Sequence, residues 1–281
     1  MASNFKWLGL SALLLGLLGC ESVVELDMPA QAPVVVLNSV LNPDSTIKVA
    51  LGRSQSALSN DTFPRINNAV VRLYENGRYC CNLQPVGAGL YRAPEAPQAG
   101  ATYQLEASAP GLPSVTATTV VPGAPHLLQV RTQPGAPAPG GTLPTTSLFF
   151  SLADSVGSPD FYYVQAYALE YVAGRRYRTP VAFSFQHGLI PEFSLGIRYF
   201  FSDQLFSDQA VPLEFSLEIA PGQLARFDVV RVSQEYFEYC RQLERQQRND
   251  NLFAAPVSVP GNVAGGLGIL GGAATTTLQV R

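Results

Sequence analysis

Between Val211 and Ile219 the chain reads VPLEFSLEI, with Leu213, Phe215, Leu217 and Ile219 apolar and polar residues at 214, 216 and 218. Successive side chains of a strand point to opposite faces, so this pattern specifies a strand with one buried side. Val115, Ala117, Thr119 and Val121 repeat the pattern. Such runs are separated by turn residues drawn from 24 glycines and 22 prolines. Gly and Pro break regular structure, whereas Val, Thr, Tyr and Phe suit a pleated, half-buried surface. The chain is therefore expected to be mainly all-β, with short strands joined by tight turns and packed as sandwiches.

Residues 33–122 read as a first sandwich of about seven strands, immunoglobulin-like in strand spacing. Asn42-Pro43-Asp44 marks one turn, and Glu75-Asn76-Gly77 marks a hairpin. The Cys–Trp–Cys signature of antibody domains is missing, because Trp7 is the sole tryptophan. A boundary is placed at Pro122–Pro125, and the Pro/Gly stretch from Gln133 to Pro144 is read as a long loop. Residues 126–281 form the second, fibronectin-like sandwich. One helix interrupts it near 233–248. Ser233 is its expected N-cap, with Tyr236, Tyr239, Cys240 and Leu243 on a buried stripe and Arg241, Gln242, Arg245, Gln246 and Arg248 facing water. The glycines of GGLGILGG are read as sites of close backbone approach in a final strand. A phosphate loop would need a lysine and a following helix, and neither is there.

The other end of the chain bears on location. Lys6 is the only charged residue before the apolar run Leu8–Leu18. That run is shorter than the roughly 20 residues a membrane-spanning helix needs. A basic start and a short apolar middle describe a signal peptide over residues 1–19. Leu17-Leu18-Gly19-Cys20 resembles a bacterial lipobox, which makes Cys20 the lipidation site, carrying palmitate-type chains. Residues 20–32, with Glu21, Glu25 and Asp27 and no basic side chain, would be a tether. The membrane is then the first partner, reached through the N-terminal lipid, and the expected location is the outer membrane, on its periplasmic or cell-surface face.

The formal charge is −3, and hydrophobic residues make up 47% against 14% charged. This favours a packed core and provides no basic patch for nucleic acid. Besides Cys20 there are Cys80, Cys81 and Cys240. Adjacent cysteines on a regular strand face opposite ways. Buried free thiols are one reading, and a bridge from Cys240 to Cys80 or Cys81 is the other. No CxxC pair occurs, and the spacing suits no zinc site.

Candidate chemistry is sparse. His126 and His187 are the only histidines, and neither belongs to a recognisable catalytic set. GxSxG, HExxH and P-loop patterns are missing. Asp203 and Asp208 in FSDQLFSD offer oxygen ligands for calcium, but an EF-type loop needs further acids and a glycine that this stretch lacks. Asp154 and Asp160 bracket another turn. Phe161, Tyr162, Tyr163, Tyr167, Tyr171 and Tyr199–Phe201 are divided by alternation between core and surface, leaving an exposed subset for binding.

Taken in order, the lipobox with ESVVELDMPAQAPVVVLNSVLNPD, NAVVRLYENG, GLYRAP, FSDQLFSD, VSQEYFEYCRQLERQ and PVSVPGNVAGGLGILGG resemble the family called domain of unknown function 4249, lipoproteins found chiefly in Bacteroidota. The resemblance implies an outer-envelope protein that accompanies TonB-dependent outer-membrane receptors. It supplies no catalytic residues. Near Ile269 the family usually has an aromatic, where this chain reads Gly-Ile-Leu-Gly.

The leading expectation is a non-enzymatic envelope lipoprotein without a cofactor. It would act as a binding or accessory module for such a receptor, a peptide or a glycan. A glycoside-type hydrolase using a carboxylate pair drawn from Glu170, Glu192, Asp203 and Glu214 is the first alternative. A passive structural or adhesion lipoprotein is the second.

Overall fold

The computed structural model of the chain describes residues 32–55, 62–135, 137, 143–153, 159–187, 190–205, 210–248 and 259–281. The signal segment, Cys20, Asp154 and Asp208 lie outside these residues.

The early strands are β1 (Val35–Leu41), β2 (Lys48–Arg53), β3 (Val70–Glu75), β4 (Arg78–Asn82), β5 (Gln84–Gly87), β6 (Leu90–Arg92), β7 (Thr102–Ser108) and β8 (Val115–Val120). Then come β9 (Leu127–Gly135), β10 (Thr145–Leu152), β11 (Phe161–Val172), β12 (Arg175–Pro180), β13 (Phe183–His187), β14 (Phe193–Leu195) and β15 (Arg198–Ser202). After a 3-10 turn at Asp203–Leu205 follow β16 (Val211–Glu218), β17 (Ala225–Val232), helix α1 (Gln234–Arg248), β18 (Val263–Ala264) and β19 (Leu267–Val280).

The expected all-β class is what the chain adopts. Its strands form three sheets. A ten-stranded sheet runs β14-β15-β11-β17-β19-β1-β2-β6-β5, with β12 attached to β11. A four-stranded sheet is ordered β13-β16-β10-β9, and a five-stranded one β18-β8-β7-β3-β4. Alternation along β19 shows how they stack. Leu270 belongs to the core under the five-stranded sheet, and Val280 to the core under the four-stranded sheet. Both are even-numbered, so both small sheets cover the same face of the long one. Odd-numbered Ala273 packs in a third cluster with Phe237 and Cys240 of α1, which therefore covers the other face.

The first core draws mostly on residues up to Val121, and the second begins at Leu148, either side of the expected boundary at 122–126. The long sheet nevertheless runs through both halves, and residues 33–281 form one compact unit. The join is β19. It pairs in parallel with β1, from Val36 opposite Leu267 to Leu41 opposite Gly272, and antiparallel with β17, from Ala273 opposite Val232 to Val280 opposite Ala225. Val263 and Leu270, late in the chain, thereby complete the first core. Glycine makes the approach possible. A Cβ on Gly268 would lie 2.0 Å from the Leu37 carbonyl oxygen, and one on Gly272 2.3 Å from that of Val120.

The helix stripe differs from expectation. Phe237 and Cys240 are the buried residues of α1. Tyr236, Tyr239 and Leu243 are only partly covered. The cause lies at the start of the helix. The Ser233 carbonyl accepts the Phe237 N–H at 3.1 Å, but the Ser233 hydroxyl accepts the N–H of Gly272 at 3.1 Å. The serine thus ties the helix to β19, which turns Phe237 onto the sheet.

Candidate functional site

Strand β11 runs for 12 residues and is unequal along its length. Phe161 to Ala168 pair with β17, and Phe161 to Val164 also pair with β15. Phe161, Tyr162, Tyr163 and Tyr167 are buried, as are Phe200 and Phe201 of β15. From Leu169 onward β11 pairs with β12 alone, down to Val172 opposite Arg175. Ala173 and Gly174 close the hairpin at φ of 52° and 76°. Positive φ at both central residues is the type I′ pattern, whose twist suits a two-residue hairpin. The result is an arm of about four residue pairs that projects some 13 Å past the sheet, at a strand rise of about 3.4 Å.

The arm is apolar and basic. Tyr171 is 71% exposed, Val172 57% and Tyr177 48%, and Glu170, Arg175, Arg176 and Arg178 are exposed beside them. Residues 170–178 thus carry three arginines and one acid, against a net charge of −3 for the whole chain. By register, Tyr171 and Arg176 share one face, while Glu170 and Tyr177 share the other. Tyrosine and arginine are the side chains most enriched at interfaces, where they provide large contact area with polar ends. Tyr171 is thus the exposed member of the aromatic set read from sequence, and Tyr177 joins it.

The base of the arm is fixed. The Arg178 guanidinium lies 4.6 Å from the centre of the Tyr167 ring, and that of Arg198 lies 5.3 Å from the Tyr163 ring. Buried Asp228 accepts hydrogen bonds from Gln165 Nε2 at 2.9 Å and from Thr277 Oγ1 at 2.7 Å. These bonds join β11, β17 and β19 within the sheet, three residues before the β17 pairing ends at Ala168. Burial is the main cause that raises the pKa of Tyr163, with Arg198 opposing it.

A second polar surface lies along α1. An open groove of about 740 Å³ is lined by Glu192, Phe193, Arg241, Glu244, Arg245 and Arg248 among others. Arg241 bonds Glu192 at 2.6 Å and Glu238 at 3.2 Å, and stacks over Phe237 at 4.8 Å. Glu192 also accepts the Ser202 hydroxyl at 2.6 Å.

The acids singled out from sequence are dispersed. Glu170 sits on the arm, and Glu192 is held by Arg241 and Ser202. Glu214 lines a groove beside Arg131 and Phe149. Asp203 is buried, and its carboxylate accepts the Asp160 N–H at 2.8 Å. Asp160 in turn pairs with Arg231 and accepts the Tyr162 hydroxyl at 3.1 Å. Asp203 thus closes the junction between β11 and β15 as a turn carboxylate commonly does. Among the described residues no three His, Cys, Asp or Glu side chains converge as a metal cage. His126 is exposed, and its carbonyl accepts the Ala153 N–H. The His187 side chain lies outside the described residues.

The cysteines correct one expectation. Cys80, Cys81 and Cys240 are all free thiols. Cys240 is 2% exposed in the helix core, where burial pushes its thiol up to about 11. Cys80 is exposed and Cys81 half-buried, and they do not face opposite ways as adjacent strand residues should: both line one pocket.

A family model described as Domain of unknown function (DUF4249) matches residues 21–279. No curated protein matches the chain.

Proposed function

The chain belongs to the DUF4249 family, and from that premise we propose that it is a lipid-anchored envelope protein, held at the outer membrane through Cys20, that docks a receptor of the TonB-dependent class through the β11–β12 arm. The arm is the observation that carries this reading. It puts tyrosine, valine and arginine into solvent on a ribbon that contributes little to either core. An isolated two-stranded hairpin is marginal in water, so exposed aromatics on one are better accounted for by a partner than by folding.

Strand direction adds support. β1 and β11 run the same way as β19, since β1 is parallel to it and both β11 and β19 are antiparallel to β17. The chain enters β1 at one end of the long sheet, and the arm leaves at the other. The start of β1 and the arm therefore lie at opposite ends of the long sheet and do not compete for space. Three arginines against one acid suit a partner surface rich in carboxylates, and the charge would speed encounter as well as orient it.

The test uses the lipidated full chain as bait in gently solubilised envelopes. The expected result is recovery of an outer-membrane receptor. A variant with Tyr171→Ser, Arg175→Glu and Arg176→Glu should lose that receptor, with binding weakened by at least about 100-fold, as for removal of a hot spot worth about 3 kcal/mol. Equal capture by the variant would overturn the role of the arm. Lipidation is tested apart from it: radiolabelled palmitate should enter the wild type, and Cys20→Ala should take up none and leave the envelope fraction.

A further inference from the structure

We propose that Cys80 and Cys81 form a chelating dithiol site for a soft, thiophilic centre, supplied either as a trivalent arsenical or as a divalent heavy-metal ion. The geometry rests on one bulge. Leu73 of β3 stands opposite Cys81, and Tyr74 opposite Tyr79, so Cys80 is the extra residue left unpaired on β4. A bulge breaks strict alternation and re-aims side chains. Here it leaves both cysteines lining one pocket of about 140 Å³, shared with Glu75, Glu95 and Tyr103 over an apolar floor that includes Leu73, with the Cys80 thiol 3.6 Å from the Arg78 carbonyl oxygen. That volume is well below the roughly 300 Å³ and upward of organic-ligand sites. It suits one heavy atom with a small substituent. β4 is an edge strand and Cys80 is exposed, so the pocket is reachable.

The surroundings select the chemistry. Tyr103 donates a hydrogen bond to Glu75 at 2.8 Å, which holds that carboxylate at the pocket wall. Both thiols keep their protons more tightly than usual, chiefly through burial. Glu75 and Glu95 add to this at Cys80; the neighbouring Cys80 and Glu95 do so at Cys81. A lone thiolate is therefore disfavoured, and with it nucleophilic attack on disulfides. A divalent soft ion replaces two thiol protons without changing the net charge. A trivalent arsenical RAs=O does the same: two S–H bonds and the As=O bond break, two As–S bonds form, and the protons leave with the oxygen as water. No oxidant is required. Because no three ligating side chains converge among the described residues, a centre satisfied by two sulfurs fits better than tetrahedral zinc.

The test titrates the reduced full chain with phenylarsine oxide, and separately with cadmium chloride. The expected result is one arsenical adduct per chain, mapped by tandem mass spectrometry to Cys80 and Cys81, resistant to excess monothiol and released by a dithiol. Cys80→Ser and Cys81→Ser should each lower retention about 100-fold, the usual scale of losing the second arm of a bidentate grip. Cys240→Ser should leave it unchanged. Neighbouring cysteines chelate arsenic in any unfolded chain, so the urea midpoint is the second readout. An adduct that keeps or raises the midpoint supports the site. One that lowers it, or forms only in urea, overturns it. Glu75→Gln with Glu95→Gln separates the two sources, weakening cadmium and sparing the neutral arsenical. Retention of the arsenical alone identifies the neutral source, and retention of neither refutes the proposal.

Discussion

At the scale of single residues, backbone contact makes the sharpest demands. Gly268 has φ near +106°, and its missing Cβ would lie 2.0 Å from a backbone oxygen that cannot yield cheaply. Gly268→Ala should therefore cost at least about 3 kcal/mol, from conformational strain and overpacking together, read as a lower urea midpoint at unchanged slope. Cys240 makes a different prediction. Its thiol titrates from 9.0 in the free side chain to about 11 in the fold. Below pH 9 it is protonated in both states and stability does not depend on it. Between about 9 and 11 the unfolded chain releases the proton and the folded one keeps it, so stability falls as pH rises, by about 2–3 kcal/mol. Urea titrations across that window should show the decline, and Cys240→Ala should flatten it. Tyr103, raised to about 12 mainly by burial, extends the loss further into alkali.

At the scale of elements, local pattern was informative where neighbours are local. The Asn76–Gly77 turn forms with φ of 49° and 78°, and β16 buries Leu213, Phe215 and Leu217 as its alternation requires. The stretch RYRTPVAFSFQ spans two strands, β12 and β13, of different sheets. Pro180 cannot donate to a ladder. Just beyond it Val181 still bonds to Ala166 of the long sheet, while the Ala182 carbonyl accepts Glu218 N–H of the four-stranded one. The chain changes sheets within two residues, which no periodicity announces. The arm was hidden for a similar reason: Tyr171 looks like Tyr167 in sequence, and only the end of β17 pairing at Ala168 decides that one is buried and the other free. The two elements should answer differently to mutation. Tyr171→Ser with Tyr177→Ser should change folding stability by no more than about 0.5 kcal/mol, as exposed positions do. Phe237→Ala, which empties the centre of the helix core, should cost about 3–5 kcal/mol. Chemical denaturation of both variants makes the comparison.

At the scale of the whole molecule, two readable halves form one cooperative object. Their cores are distinct, yet β19 contributes Leu270 to one and Val280 to the other. Residues 33–125 produced alone lack β18 and β19, and should show no cooperative thermal transition. The intact chain should unfold in a single step, with near-ultraviolet and far-ultraviolet signals superimposing. This organisation was out of reach of sequence reading because the β1–β19 ladder joins residues about 230 positions apart, and strand periodicity carries no information on which strands pair.

That ladder also sets the order of events in time. β1 occupies the interior of the long sheet, between β2 and β19, so a chain still being made cannot cover it on one side. Closing so large a loop is slow and comes late. A growing polypeptide of this design cannot close its long sheet before β19 has been synthesised, so its cooperative fold is acquired late rather than strand by strand.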